Sequence, residues 1–148
     1  MVDAYKWDNC RDAATELGTV LVESLPKVPP DTRFVPIPTI AAHRRRRGYD
    51  HTKLMAEALV ARCGGCVTPL LVRRTNSVQI GKSRTERLKQ AKKAYTINTH
   101  YMVDRETPYV IVDDVYTTGA TVNAAAHLLR EAGAQNVWVA VATRQPLD

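Results

Sequence analysis

The stretch of sequence that decides the fold is Val112-Asp113-Asp114-Val115-Tyr116-Thr117-Thr118-Gly119-Ala120-Thr121. A β-branched run at residues 109–112 precedes the acids and favours a central strand of a parallel sheet. A helical pattern follows at residues 121–132, and residues 137–142 predict the next strand. This order is typical of an open α/β sheet, in which ligands bind at the carboxyl ends of the strands. Residues 113–120 are therefore predicted to form a loop at the binding edge.

Two kinds of chemistry meet in this predicted loop. Asp113 and Asp114 end a buried strand, where their mutual repulsion has a cost that a cation or a polyhydroxyl ligand would offset. The small and hydroxylated residues 117–121 open a helix, and the free amides and positive end of a helix favour a phosphate. A sugar phosphate satisfies both ends of the loop at once.

The rest of the chain alternates between helical and strand patterns, as α/β proteins do. Helices are predicted at residues 9–25 and 50–62, and the Gly64-Gly65 pair ends the second. Strands are predicted at 33–36 and, as a buried run, at 70–72, with weaker patterns at 95–97 and 101–103. Pro36 and Pro38 predict an extended loop, residues 76–84 a polar loop, and residues 85–94 a short basic helix.

Length and composition predict a single domain over residues 1–148. Hydrophobic residues make up 45% of the chain but aromatic residues only 6%, so the core must be largely aliphatic. The 21 Lys and Arg against 15 Asp and Glu give a net charge of +6, which favours anionic partners such as phosphate, pyrophosphate or nucleic acid. No apolar run reaches ~18 residues and no apolar leader begins the chain, which argues against a membrane partner and favours a cytoplasmic location.

The cysteines and histidines do not form a recognisable metal site. Cys63 and Cys66 spell C-x-x-C, but a structural zinc site needs four ligands and there is no second pair. Two incidental thiols at a helix end are favoured over redox or metal use. His43 and His51 have no acid or cysteine at metal-ligand spacing, so surface or supporting roles are favoured over zinc ligation.

The segment at residues 112–121 resembles the motif that binds 5-phosphoribosyl 1-pyrophosphate (PRPP) in type I phosphoribosyltransferases. Val35-Pro36-Ile37-Pro38 and the run from Arg46 to His51 resemble the "VPVP … R-x-RGFNQ" signature of the ComF-like subgroup. Arg73-Arg74-Thr75, Gln79 and Arg87 resemble a further stretch of that signature. The resemblance spans residues 35–143. It implies an α/β fold with a mainly parallel sheet flanked by helices and a small hood, built from residues 1–30, 74–103 or both.

The resemblance also implies roles for individual residues. Asp113 and Asp114 would contact the ribose hydroxyls, directly or through Mg²⁺, the implied cofactor. The 5′-phosphate would lie against Thr117, Thr118, Gly119, Ala120 and Thr121. Pro36, Arg46 and Arg47 would bind pyrophosphate, a role that suits guanidinium groups because they match phosphate oxygens bidentately. Lys82 and Arg84 would belong to a catalytic loop that closes over the leaving group and neutralises its charge.

Three departures from the family pattern limit what the resemblance implies. ComF-like proteins commonly begin with a four-cysteine zinc ribbon. This chain has none, which is expected of either a naturally short form or a truncated piece. Tyr49-Asp50-His51 stands where the signature has Phe-Asn-Gln. Thr117 stands where several purine-using relatives have an acid that acts on the base, which argues against a hypoxanthine- or guanine-type enzyme with that mechanism.

Two classes of function remain open from the sequence. The first is an enzyme that transfers the phosphoribosyl group of PRPP to a nitrogenous base or amine and releases pyrophosphate. The second is a non-catalytic ComF-like protein that binds PRPP or single-stranded DNA, in DNA uptake or nucleotide-responsive regulation. The basic run at residues 44–47 fits pyrophosphate binding, a solvated face or nucleic-acid contact. Dimers are common among relatives, so a homodimer is one candidate for an oligomeric state that the sequence leaves open.

Overall fold

A computed structural model describes residues 12–74 and 93–145. In chain order these form α1 (Asp12–Ser24), β1 (Arg33–Pro36), α2 (Ala41–Arg47), α3 (His51–Cys63), β2 (Cys66–Val67), β3 (Leu71–Arg73), β4 (Tyr95–Ile97), β5 (Tyr109–Tyr116), α4 (Ala120–Glu131) and β6 (Val137–Arg144). The predicted polar loop at 76–84, with Lys82 and Arg84, lies outside the described residues. So do the start of the first predicted helix and most of the basic helix predicted at 85–94.

A four-stranded sheet in the order β2-β1-β5-β6 organises the fold, and each neighbouring pair of strands is parallel. The central β5 supplies Tyr109, Val110, Ile111 and Val112, which are almost completely buried. Val110 and Val112 pack in one core cluster with residues of α1 and α3, and Ile111 packs in another with residues of α4. Helices therefore cover both faces, and the predicted α/β class with a mainly parallel sheet is confirmed.

Strand β5 is longer than its sequence pattern predicted. It continues through both acids to Tyr116, because β6 pairs with it at Asp113, Val115 and Tyr116. The prediction of a loop at 113–120 is therefore wrong over its first half, and only residues 117–119 connect β5 to α4. The acids consequently lie on a strand, which holds their backbone more rigidly than a loop would.

A separate antiparallel pair, β3 and β4, lies outside the main sheet. The prediction of a buried strand at 70–72 holds in part: Leu70 and Leu71 are buried, but β3 runs from Leu71 to Arg73 and its Val72 is 42% exposed. A two-stranded ribbon has one covered face, so alternate side chains point outward. The strand predicted at 101–103 is wrong, because Tyr101 closes a turn by donating its N–H to the Asn98 carbonyl at 3.1 Å.

The loop after β1 contains a helix that the sequence pattern did not predict. Helix α2 spans seven residues and ends at Gly48, whose backbone has φ 77° and whose N–H donates to the Arg44 carbonyl.

Helix α3 begins as expected, because the Asp50 side chain accepts from the Lys53 N–H and caps it. It ends before Gly64, and Cys63 and Cys66 are free thiols.

Helices α1 and α3 approach each other closely at Gly18. A Cβ atom placed on Gly18 would lie 2.5 Å from the Ala58 Cβ, closer than two carbon atoms can pack. Gly18→Ala should therefore lower the free energy of unfolding, because overpacking costs about 1–3 kcal/mol while the gain in helix propensity returns at most about 1 kcal/mol. Urea denaturation measures this change. Adding Ala58→Gly should recover part of the loss, and a Gly18→Ala variant as stable as the parent would contradict the packing.

Candidate PRPP-binding site

Two buried acids lie near the carboxyl end of the central strand. Asp113 is 9% exposed and Asp114 5% exposed, and the Asp114 N–H donates to Asp113 Oδ1 at 2.9 Å. Successive side chains of a strand point to opposite faces, so the two carboxylates face different neighbours. Asp113 lies on the side of α4 and the β3–β4 ribbon, and Asp114 on the side of α3.

A cavity of about 440 Å³ opens at this end of the sheet and is lined by both acids. Its other walls include the loop that follows β1, the first turn of α3, Arg73 and Tyr95 of the ribbon, Thr117 and Thr121 near the start of α4, and the end of β6. The volume is that of a small-molecule site, and most of its walls carry groups that can form hydrogen bonds. The predicted position of the site, at the carboxyl ends of parallel strands, agrees with this geometry.

The turn between β5 and α4 has the backbone shape of an anion site. Gly119 precedes the helix with φ 75° and ψ 2°, a left-handed conformation that costs other residues free energy. A second cavity of about 20 Å³ lies within the turn and is lined in part by Asp113, Thr117 and Thr121. The Ala120 N–H donates to Thr118 Oγ1 at 3.4 Å. Amides of a first helical turn and nearby hydroxyls together suit phosphate oxygens.

Asp114 contacts His51, for which the sequence favoured a surface or supporting role without indicating a partner. His51 Nε2 lies 2.9 Å from Asp114 Oδ2, and His51 is only 8% exposed. His51 is the first residue of α3, so the helix start places its ring against the end of β5. The sequence signal that could have pointed to His51 was its place in the "RGFNQ"-like stretch, where Tyr49-Asp50-His51 departs from the family's residues.

The loop after β1 is held against the same helix start. The Thr52 hydroxyl donates to the Ile37 carbonyl at 2.6 Å, and the Thr39 hydroxyl lies 2.9 Å from Asp50 Oδ1. The Ile37 N–H also donates to the Val112 carbonyl at 2.9 Å, which continues the β1–β5 pairing past Pro36. Residues 37–40 are thereby fixed as one wall of the cavity.

A cation of the β3–β4 ribbon also reaches the cavity wall. Arg73 Nη1 donates to the Tyr95 hydroxyl at 2.8 Å, and the Arg73 guanidinium lies 5.3 Å from the centre of the Tyr95 ring. Arg73 and Tyr95 are directly opposite each other in the antiparallel register. Arg73 was recognised in the sequence only as part of a family signature, and the structure adds that it lines the site.

Comparison with known proteins agrees with this architecture. Residues 82–147 match the family model described as phosphoribosyl transferase domain. The chain is 32% identical to competence protein ComFC of Streptococcus pneumoniae over 133 residues, which cover 90% of this chain and 57% of that protein. It is 36% identical to competence protein ComFC of Bacillus subtilis over 109 residues, which cover 72% of this chain and 42% of that protein. The chain belongs to the ComF-like family of proteins with the type I phosphoribosyltransferase fold.

Solved structures show the same fold for this ComF-like chain. The allosteric regulatory enzyme of purine biosynthesis matches 89% of the chain with a TM-score of 0.60 and 22% identity. Glutamine PRPP amidotransferase of Bacillus subtilis matches the same share with a TM-score of 0.60 and 20% identity. The chain covers 26% of each of these structures and about half the length of the curated ComF-like relatives.

In this ComF-like chain, Pro36 and Arg46, which were predicted to bind pyrophosphate, do not line the cavity. Pro36 is buried at the end of β1, and the cavity wall begins at the next residue, Ile37. Arg46 is exposed on α2 and is not among the lining residues, although His43 of the same helix is. The Arg47 side chain, Lys82 and Arg84 lie outside the described structure. The predicted phosphate-turn residues Thr117, Thr118, Gly119, Ala120 and Thr121 are together at the start of α4.

Two observations bear on a divalent cation at this site. Residues 12–74 and 93–145 contain no group of three or more His, Cys, Asp or Glu side chains that could hold a metal on their own. Mg²⁺ is ordinarily held by one or two carboxylates together with waters and substrate phosphates. The buried pair Asp113 and Asp114 fits that second arrangement, and so does their place beside the glycine turn at residues 117–119. In the same described residues, no helix has the length and apolar content that a membrane crossing requires.

The Tyr95 hydroxyl reports on the electrostatics of the cavity. Burial raises the pKa of Tyr95 above its ordinary 10.0, Arg73 opposes that rise, and the Asp113 carboxylate adds to it. The fold favours the neutral phenol, so Tyr95 contributes its full stabilisation below pH 10.0. That contribution is lost as the pH rises through the raised pKa.

Asp113→Asn should lower the pKa of Tyr95, because it removes the carboxylate charge that raises it. Ultraviolet absorbance titration, with Tyr95→Phe for subtraction, measures it, and an unchanged pKa would contradict the proximity of Asp113.

Proposed function

We propose that this ComF-like chain is a phosphoribosyltransferase. It binds PRPP with Mg²⁺ and transfers the phosphoribosyl group to a nitrogenous base or amine, releasing pyrophosphate. The observation that carries the proposal is one cavity with two buried carboxylates on β5 at its edge and a left-handed glycine turn at the start of α4 beside them. These are the two features that a sugar phosphate requires, a hydroxyl-binding end and a phosphate-binding end.

The proposed binding mode assigns the phosphate, ribose and pyrophosphate of PRPP to different parts of the site. The 5′-phosphate accepts hydrogen bonds from the backbone amides and hydroxyls of residues 117–121, all of which except Thr118 line the smaller cavity together with Asp113. Asp113 and Asp114 accept from the ribose hydroxyls. The pyrophosphate extends toward residues 37–40 and Arg73, on the other walls of the large cavity. Arg46, Arg47, Lys82 and Arg84 are further proposed contacts for its negative charge.

The proposed reaction is a substitution at ribose C1. The nitrogen lone pair of the acceptor forms the N–C1 bond, and the C1–O bond breaks with its electron pair leaving on pyrophosphate. The acceptor proton passes to solvent. The residues of the chain act by holding the sugar and by stabilising charge, with the carboxylates facing the positive charge that develops on the ribose ring. Asp113 and Asp114 would hold Mg²⁺, which would supply positive charge to stabilise the leaving pyrophosphate.

Pyrophosphate formation tests the proposed reaction. The protein is incubated with PRPP, Mg²⁺ and, in turn, purine bases, pyrimidine bases and small amines, while pyrophosphate is quantified. We expect at least one acceptor to raise pyrophosphate formation, with one phosphoribosylated product per pyrophosphate by mass spectrometry. If PRPP binds but no acceptor raises the rate of pyrophosphate formation above the rate with buffer in its place, the assignment as a transferase is overturned.

A second candidate is a non-catalytic protein that binds nucleic acid. Two observations favour it: Arg44, Arg45 and Arg46 are all exposed on α2, and the curated relatives of this chain are named competence proteins. A basic surface of this kind would bind single-stranded DNA through phosphates, so the affinity should fall steeply with salt. Salt-dependent DNA binding that a triple Arg44→Gln, Arg45→Gln, Arg46→Gln variant loses, without pyrophosphate formation, would favour this candidate over the enzyme.

A further inference from the structure

The Asp114 carboxylate is held from the side of α3, away from the phosphate turn. His51 Nε2 lies 2.9 Å from Asp114 Oδ2, and the side chains of the two residues are 10% and 7% exposed. This is a close polar contact between two buried groups, at a place where water competes for it less than at the surface. His51 is the first residue of α3, so the position of its ring follows from the position of the helix.

The opposite edge of the His51 ring is held as well. The Nδ1 atom lies 3.1 Å from Thr39 Oγ1. Thr39 in turn contacts Asp50 twice: its hydroxyl lies 2.9 Å from Asp50 Oδ1, and its N–H donates to Asp50 Oδ2 at 3.4 Å. Both ring nitrogens of His51 therefore have a partner, which sets the rotation of the ring and hence the direction from which Nε2 meets Asp114.

We propose that His51 is a positioning residue for substrate binding, acting through Asp114; this inference rests on the proposed function. With Oδ2 engaged by His51, the carboxylate cannot rotate freely and presents Oδ1 to a ribose hydroxyl. The same ring connects Asp114 to Thr39, which lies in the wall that faces the pyrophosphate end of the cavity. One side chain thus sets the geometry of the ribose end relative to the pyrophosphate end.

Two substitutions of His51 separate its two contacts. In a glutamine the amide nitrogen occupies roughly the place of the histidine Nε2, so His51→Gln keeps a donor for Asp114; the family signature has glutamine here. In an asparagine the shorter amide occupies roughly the place of Nδ1, so His51→Asn keeps a partner for Thr39 and loses Asp114. Groups that orient metal-binding side chains ordinarily change metal affinity or activity by about 10- to 100-fold, and we expect an effect of that order for PRPP bound with Mg²⁺.

The test measures the PRPP dissociation constant in the presence of Mg²⁺ for the full chain and both variants, by calorimetry. We expect His51→Asn to weaken binding about 10-fold or more and His51→Gln to stay within about 3-fold of the parent. Thermal unfolding without ligand is measured alongside. A purely structural role for His51 would lower the unfolding temperature of His51→Asn without this difference in PRPP affinity between the two folded variants.

The outcomes distinguish this inference from the function on which it rests. Equal PRPP affinity of the parent and folded His51→Asn overturns the role of His51 and leaves the proposed function standing. A parent protein that does not bind PRPP overturns both. Loss of PRPP affinity in a folded His51→Gln also overturns the inference. If His51→Asn does not fold, His51→Ala takes its place, and equal PRPP affinity of the parent and folded His51→Ala overturns the inference. His127→Asn is the control, because His127 is exposed and pairs only with Glu131 among the described ion pairs; its PRPP affinity should equal that of the parent.

Discussion

Replacing both carboxylates at the end of β5, as Asp113→Asn with Asp114→Asn, should abolish Mg²⁺-dependent PRPP binding. Each carboxylate is expected to accept a hydrogen bond from a ribose hydroxyl, directly or through Mg²⁺. Hydrogen bonds to charged groups contribute about 1.5–3 kcal/mol each, so losing two of them corresponds to at least about a 100-fold loss of affinity. Calorimetric titration with PRPP at fixed Mg²⁺ measures the change.

A matched control separates the loss of two negative charges from the loss of these two carboxylates. Asp31→Asn with Glu57→Gln makes the same change in net charge at two exposed positions. This control should bind PRPP as the parent does. Asparagine nearly matches aspartate in size and removes the repulsion between two buried charges, so the double variant should remain folded by thermal unfolding. A folded Asp113→Asn, Asp114→Asn protein with the affinity of the parent would refute the assignment of the site.

Gly119→Ala should have the second largest effect on binding. Gly119 has φ 75°, where a side chain costs about 1–2 kcal/mol, and a Cβ atom there would collide with the Tyr116 hydroxyl. Either the Tyr116 side chain or the turn must therefore shift, and a shift of the turn displaces the amides at the start of α4 from a bound phosphate. Losing one such hydrogen bond corresponds to about a 10- to 100-fold rise in the PRPP dissociation constant.

The chain contains a close backbone match for this substitution. Gly48 has φ 77° and ψ 1°, against 75° and 2° at Gly119, but a Cβ atom at Gly48 would meet nothing within 4 Å. Gly48→Ala should thus have the same local strain without a collision. If both variants lose stability but only Gly119→Ala loses affinity for PRPP and for ribose 5-phosphate, the phosphate turn is supported. Equal affinities would show that Gly119 does not shape a phosphate site.

The central strand and its acids could be predicted from sequence because their signals are local. The apolar run at residues 109–112 precedes two acids and a glycine turn, and each of these has a direct physical meaning. The end of the strand could not be predicted in the same way. Pairing with β6 extends β5 to Tyr116, and a partner strand is not visible in the pattern of the strand it joins.

Helix α2 illustrates a different limit of sequence analysis. Its sequence, Ala41-Ala42-His43-Arg44-Arg45-Arg46-Arg47, has no apolar periodicity, so nothing in the pattern indicates a helix packed on a core. The glycine that follows it provides the only local signal, a left-handed end at Gly48. Val72 was likewise predicted to be buried because a continuous apolar run does not reveal which face of a two-stranded ribbon is covered.

The supporting residues of the site were the hardest to predict. His51 and Asp114 are far apart in the sequence, and their contact exists only because α3 starts beside the end of β5. Arg73 reaches the same cavity because the ribbon places it opposite Tyr95. Such contacts depend on how distant elements pack together. Sequence motifs located the two acids and the phosphate turn, whereas the walls around them followed from the fold.

The central claim is that the carboxyl end of β5 and the turn before α4 form a PRPP site. The most direct test is a calorimetric titration of the protein with PRPP, performed with and without Mg²⁺. Saturable binding of one PRPP per chain that depends on Mg²⁺ is the predicted result. No binding at millimolar PRPP in either condition would contradict the claim.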